Sequence, residues 1–181
     1  MPRGVDTNNG LTSINGYPSI ELSLLCEPSS FLIPKIDAGE LDVAIVSQDH
    51  PERGIWLVSM PLVWVGNLVN AESELPVPLP VAMYEFGSEA RKNLLKTLEK
   101  MPGGYRIIYN SPYIAGQIAA AESGMAMTVL TECCVPEKLN ISHNKALPVL
   151  PIHELAVVRS VSSTANEIVS LLVDEIRKIV C

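Results

Sequence analysis

Residues 29–46 read SSFLIPKIDAGELDVAIV. Within this stretch Leu32, Ile33 and Ile36 recur at helical spacing, so Phe31 to Ala38 is expected to form a helix, closed by Gly39. Leu41 to Val46 (LDVAIV) is then short and almost continuously apolar, as expected of a strand buried on both faces of a parallel sheet. Upstream, Pro18 to Leu25 places Ile20, Leu22 and Leu24 on one face and reads as a further strand, broken by Glu27-Pro28-Ser29-Ser30. Strand, helix and strand follow one another within about thirty residues, the unit that needs a helical crossover between parallel strands.

Working outward, residues 54–71 form an 18-residue run without a charge. That length is the lower end of a membrane span, but Ser59, Pro61, Gly66, Asn67 and Asn70 interrupt it. Ile55, Leu57 and Val58, then Leu62 to Val65, read as buried strand. LPVPLP at 75–80 delays the next strand to Val81–Met83, because proline cannot donate to a central ladder. Gly87-Ser88 precedes a helix from Glu89 to Lys100, with Leu94, Leu95 and Leu98 on one face, ended by Met101-Pro102-Gly103-Gly104.

Tyr105 to Tyr109 reads as a strand. Ser111-Pro112 is expected to start a helix as N-cap and first helical residue, running to about Ser123 and stopping at Gly124. Met125 to Leu130 reads as strand, with a short turn or helix around Thr131 to Val135. Val149–Pro151 and Leu155–Val158 read as two short extended pieces. Thr164 and Glu167 form a capping-box pattern for a last helix, with Ile168, Leu171, Leu172, Ile176 and Ile179 as its apolar stripe. The alternation gives an α/β class with mostly parallel sheets.

The chain has 181 residues, 48% apolar and 18% charged, enough to bury a core without staples. Thirteen basic against twenty acidic residues leave a net charge of −7, and only Arg91 to Lys100 gathers several basic residues. Phosphate affinity comes from basic clusters, so a free-standing DNA-binding module is excluded. Cys26, Cys133, Cys134 and Cys181 fit no zinc spacing and read as thiols of a reducing, cytoplasmic setting. Behind Met1-Pro2-Arg3-Gly4 there is no apolar stretch of a secretory signal.

Several stretches, in this order, resemble the effector-binding domain of LysR-type transcriptional regulators. Pro18-Ser19-Ile20-Glu21-Leu22 looks like that family's YP-x-V-x-L strand. Ser29-Ser30 followed by AGELDVAIV at 38–46 looks like its S-x-x-L and GELDLAI unit. Pro61 to Val65 resembles a strand crossing between lobes, Ser111 to Leu130 resembles the stretch around V-x-AGLG-x-x-x-LP, and Leu155 to Arg159 resembles the returning crossover. The likeness runs from about Tyr17 to the C-terminal helix. It implies a two-lobed fold of the type 2 periplasmic-binding-protein kind, with a first lobe of residues 1–61 plus 155–181, a second of 62–154, and a small effector in the cleft. It also implies a homodimer or higher oligomer, antiparallel through the first lobe, involving Phe31–Ala38 and either Leu155–Ser162 or the last helix. Three departures stand out. The family's winged helix-turn-helix and linker helix are not in this chain, so DNA would be reached only through parts outside it. The strand and helix that precede the YP motif are expected to be missing or degenerate. Gly124-Met125-Ala126 stands where Gly-x-Gly is usual.

Candidate effector-binding residues follow from position. Ser29 and Ser30 sit where strand becomes helix, and helix N-termini carry unpaired N–H groups that attract anions; the family likeness implies an effector carboxylate there. Phe86, Gly87 and Ser88, with Tyr84 and Glu85, lie at the corresponding turn of the second lobe, outside the carboxyl end of a strand. Phe86 suits an apolar or aromatic effector, and Arg91, one turn on, suits an anionic one; core packing and a solvated helix face are their ordinary roles. Ser111 and Tyr113 begin the next helix, and Tyr supplies contact area with one hydrogen bond. Ser47 and Thr128 are added by position alone. Seven of the nine aromatic residues fall between Trp56 and Tyr113, mainly in the second lobe.

For catalysis the sequence offers little. His50, His143 and His153 lie in loop-like stretches without a nucleophile motif, and no Gly-x-Ser-x-Gly, P-loop or His-Glu-x-x-His occurs. Neither enzyme activity nor a metal, cofactor or membrane partner is expected. The expected function is effector sensing for transcription regulation, with lobe movement read out through oligomer geometry. The rivals are a solute-binding receptor of the same fold, which needs export, and an enzyme on the same scaffold.

Overall fold

The computed structural model describes residues 22–68 and 74–180. Residues 18–21 of the first expected strand lie outside them. Leu22 to Pro28 form no regular element, with Leu24 72% exposed, so the remainder of that strand is not formed.

The first helix, α1 (Ser29–Asp37), follows directly. Its Leu32 and Ile36 are buried against Ala44 and Val46 of β1 (Val43–Ser47), as their spacing requires. Pro34 lies inside α1, and Gly39 takes a positive φ of 74° at its end. β1 buries only one face, and its neighbour is antiparallel: Val43 to Ser47 pair with Arg159 to Leu155 of β6 (Ile152–Arg159). The expectation of a parallel strand buried on both sides is corrected here. Its apolar run reads the same in either direction, and Ile45 is 43% exposed on the outer face.

The uncharged run becomes one long strand, β2 (Ile55–Val65). Its first half pairs antiparallel with β6, from Ile55–Val157 to Pro61–Ile152. Its second half pairs antiparallel with β5 (Thr128–Thr131), from Leu62–Thr131 to Val65–Thr128. The partner changes at Pro61, a residue with no N–H to give, where one ladder ends and the next begins. The resulting sheet has the order β1-β6-β2-β5. A β-bulge between Trp56 and Val58 bends β2, and Gly54 before it is required, since a Cβ there would meet the Val157 carbonyl oxygen at 2.3 Å. Among the described residues no helix is long and apolar enough to cross a membrane.

β3 (Leu79–Met83) and β4 (Tyr105–Asn110) pair in parallel across α2 (Glu89–Leu98). Val81 also makes a parallel bridge to Met127, which joins this pair to β5. The sheets are therefore mixed rather than mostly parallel. The Ser88 hydroxyl caps α2 by accepting from Arg91 N–H at 3.2 Å, and Leu94 and Leu98 point into the core. α3 (Ile114–Glu122) starts later than expected: the Ser111 hydroxyl accepts from Tyr113 N–H and closes a turn before the helix rather than capping it. β6 is one strand where two pieces were expected, because it pairs on both edges with β1 and β2.

In α4 (Glu167–Val180) the cap is Asn166, whose Oδ1 accepts from Ile168 N–H at 3.0 Å and Val169 N–H at 3.4 Å, and not Thr164. Val169 and Val173 are the buried positions, while Ile168, Leu171 and Ile179 of the expected stripe are exposed. The larger core gathers Trp64, Leu79, Val81, Met83, Leu98 and Met127 around β3, α2 and the end of β2.

Candidate functional site

A cavity of about 310 Å³ opens where β1, β2 and β6 face the turn after β3. That is within the size range of small-molecule sites, roughly 300–1,000 Å³. Its walls come from the ends of strands. Ser29 at the start of α1 and Ser47 at the end of β1 supply one wall, with Met60 and His153 from the paired strands β2 and β6. Tyr84, Glu85 and Ser88 supply the opposite wall. Leu62 and Val129 form an apolar floor.

The polar contacts fix these walls. The Ser29 hydroxyl accepts from Ser47 N–H at 2.9 Å, tying helix to strand. Ser47 Oγ lies 3.4 Å from His153 Nε2. Burial lowers the His153 pKa below its usual value, with Glu154 opposing the shift weakly, so the ring is neutral at neutral pH. Tyr84 donates its hydroxyl to the Val129 carbonyl at 2.7 Å, and burial pushes its phenol well above the ordinary range. Ser30 donates to Glu85 Oε1 at 3.0 Å and so joins the two walls. Among the described residues no cluster of three or more His, Cys, Asp or Glu side chains could hold a metal.

The candidates named from sequence divide. Ser29, Ser47 and Ser88 line the cavity, and Ser30 sits at its edge through Glu85. Phe86 and Gly87 stand outside it: Phe86 is 80% exposed, with the Arg91 guanidinium 4.0 Å from its ring centroid. Arg91 is itself buried and committed, donating to the Tyr84 carbonyl at 2.6 Å and Asn110 Oδ1 at 2.7 Å. It is not among the residues that line the cavity. Ser111 and Tyr113 flank the lining residues Pro112 and Ile114 without lining it themselves. Thr128 is buried, and its hydroxyl donates to Gln117 Oε1 at 2.9 Å.

Met60, His153, Thr131 and Cys134 line the cavity and were not singled out as binding residues. Met60 and His153 are cross-strand partners, and only the register of β2 on β6 brings them together. The wall also carries Glu27, Glu85 and Glu89, with no Lys or Arg among the described lining residues.

Comparison with known proteins places this geometry in a family. The model of the LysR substrate binding domain matches residues 14–179. The HTH-type transcriptional regulator DgdR of Burkholderia cepacia is 29% identical over 139 residues, covering 75% of this chain and 46% of that protein. The chain thus spans about half the length of this curated relative. Among solved structures, the Synechocystis PCC6803 CcmR regulatory domain in complex with 2-PG superposes with a TM-score of 0.70 at 19% identity, covering 92% of this chain and 86% of that one. The regulatory domain of the HypT M206Q mutant from Salmonella typhimurium gives 0.73 at 14% identity, covering 92% and 88%. These likenesses establish the two-lobed fold, and the family match establishes the rest: the chain belongs to the LysR substrate-binding domain family.

Proposed function

We propose that this chain is the effector-sensing part of a LysR-type transcriptional regulator and binds one small molecule in the cavity between Ser47 and Ser88. The observation that carries the reading is the position of that cavity. It lies where β2 changes its partner from β6 to β5, between groups contributed by both halves of the sheet. The lobes are residues 1–61 plus 155–181 and residues 62–154, which the partner change at Pro61–Leu62 supports. A molecule touching both walls has different contacts in open and closed arrangements, and that difference is what shifts a two-state equilibrium.

The walls limit the effector. Three glutamates, with no Lys or Arg among the described lining residues, oppose a multiply charged anion. A largely apolar molecule fits, with one polar head that meets Ser29, Ser47 and the neutral His153 and a donor that meets Glu85. In this reading the protein works in the cytoplasm and does not turn its ligand over. DNA is contacted by a winged helix-turn-helix outside these residues, and signalling passes through a homodimer or higher oligomer. Phe31 on α1 and Ile168 and Leu171 on α4 are exposed apolar residues of the first lobe, which supports association there.

The test is a thermal-shift screen of small metabolites, with each hit taken to calorimetry. A sensor is stabilised by its effector according to ligand concentration over Kd, and the ligand is recovered unchanged. Ser29→Ala should weaken the hit and Ala90→Leu, which narrows the cavity, should abolish it, whereas Phe86→Ala should leave it intact. A hit that survives Ala90→Leu refutes the cleft as the site, and consumption of the ligand refutes the sensing role. Light scattering that finds only monomer refutes the oligomer.

A further inference from the structure

We propose that Cys133 and Cys134 form a two-thiol chelating site for a trivalent monoorganic arsenical at the rim of the cavity. Adjacent cysteines normally point apart, but the 3₁₀ turn Glu132–Cys134 brings their Sγ atoms to 3.9 Å from each other. Cys133 is exposed, so a reagent reaches it from solvent, while Cys134 is half-buried and lines the cavity. The pair follows β5, whose pairing with β2 holds the turn in place.

The number of sulfurs selects the ligand. Soft thiolates favour soft acceptors, and zinc or inorganic arsenite would call for further protein ligands. Among the described residues no third Cys, His, Asp or Glu completes such a set. An arsenic that already carries one carbon substituent needs only two sulfurs. Apolar lining next to Cys134, from Leu62 and Val129, offers its organic group a surface. Desolvation and the contact with Cys134 raise the Cys133 thiol above its usual range. A raised Cys133 pKa disfavours attack on peroxides by a free thiolate at that sulfur.

The chemistry balances without an oxidant. Phenylarsonous acid, the hydrated form of phenylarsine oxide, meets two thiols. Two As–O and two S–H bonds break, two As–S and two O–H bonds form, and two waters leave. Arsenic remains trivalent throughout.

The probe is phenylarsine oxide added to the full chain in excess glutathione, read by intact mass. The second sulfur closes intramolecularly, so the pair should outbind a single thiol by roughly 10²-fold or more. A single bridged adduct is expected that withstands glutathione and is removed by 2,3-dimercaptopropanol. Cys133→Ser and Cys134→Ser should each lose it, and the double variant Cys26→Ser with Cys181→Ser should keep it. An adduct that persists in Cys134→Ser, disappears in the double variant, or yields to glutathione in the parent chain overturns the proposal. The double variant decides the matter even if substitution in the turn impairs folding.

Discussion

The two lobes hold together by different means. In the second, residues of β2, β3, α2 and β5 close one continuous apolar core, with Leu79, Val81, Met83, Leu98 and Met127 fully buried. In the first, among the described residues, Leu32, Ile36, Ala44 and Val46 form a smaller cluster, with Leu57, Ala156, Val157, Val169 and Val173 also buried and Phe31 and Ile45 exposed. What apolar mass does in one lobe, hydrogen bonds share in the other. The Ser163 hydroxyl donates to the Asp42 carboxylate and accepts from Ser160 at 2.9 Å, and Arg159 donates to the Ser163 carbonyl at 2.7 Å. Among the described residues the cavity thus lies between the larger apolar cluster and the smaller one.

The sharpest way to break that comparison is a matched truncation. Leu98→Ala removes a fully buried side chain and should cost about 2–5 kcal/mol, toward the upper end because the surrounding helix and strand cannot collapse onto the gap. Leu32→Ala, at 8% exposure beside a smaller cluster, should cost about 2 kcal/mol. Denaturant unfolding of both variants measures the difference, and equal losses would show that the first lobe is as tightly packed as the second.

Polar groups give the next contrast. Gln117, fully buried, donates through Nε2 to the Met83 carbonyl at 2.7 Å and the Ser111 carbonyl at 2.9 Å, and accepts from Thr128. Gln117→Leu removes the donor to the Ser111 carbonyl, while the Met83 carbonyl keeps Ser111 N–H and Thr128 keeps the Ala82 carbonyl, and should cost about 2 kcal/mol. Ser163→Ala removes a similar bond in the first lobe, yet Asp42 is exposed and regains water, so about 1 kcal/mol is expected there. Ser88→Ala, which removes the cap of α2, should also cost about 1 kcal/mol.

These same residues show what was legible in the sequence. α2 could be read from the spacing of Leu94, Leu95 and Leu98 behind a serine cap, because helix signals are local. β1 could be read as a strand, but not its partner: the antiparallel neighbour β6 lies across the whole second lobe in sequence, and only the folded sheet supplies the register. The site divides in the same way. Ser29, Ser47 and Ser88 announce themselves as residues at element ends. His153 does not, because it follows the irregular LPVLP segment and owes its place to pairing with Met60. Phe86 stands apart from the cavity for a related reason: which way an aromatic at a turn faces is set by the fold, and here its ring lies against the Arg91 guanidinium. Thr128 likewise serves the Gln117 network, a buried arrangement with no sequence signature.

The smallest effect distinguishes the walls of the cavity by proton uptake. His153 lies on the wall that Ser47 and Met60 share, and burial holds its pKa below the ordinary 6.5. The unfolded chain takes up this proton as pH falls through about 6.5, while the native chain still refuses it. Below that point the unfolded state binds more protons, so stability declines with falling pH until the native pKa is passed; above it this group contributes no pH dependence. Tyr84, on the opposite wall, is shifted upward by burial and stays neutral over the same range. Glu154 works in a separate window. Hydrogen bonds from Ser59 and Trp56 lower its pKa from 4.5, so its contribution is present above that value and is lost as pH falls through the lowered one. His153→Gln keeps a polar side chain beside Ser47 and removes the titration. The difference in unfolding midpoint between about pH 7.5 and about pH 5.5 should therefore shrink in this variant. A variant as acid-sensitive as the parent would mean that the ring is hydrated in solution and that this wall is looser than the contact with Ser47 implies.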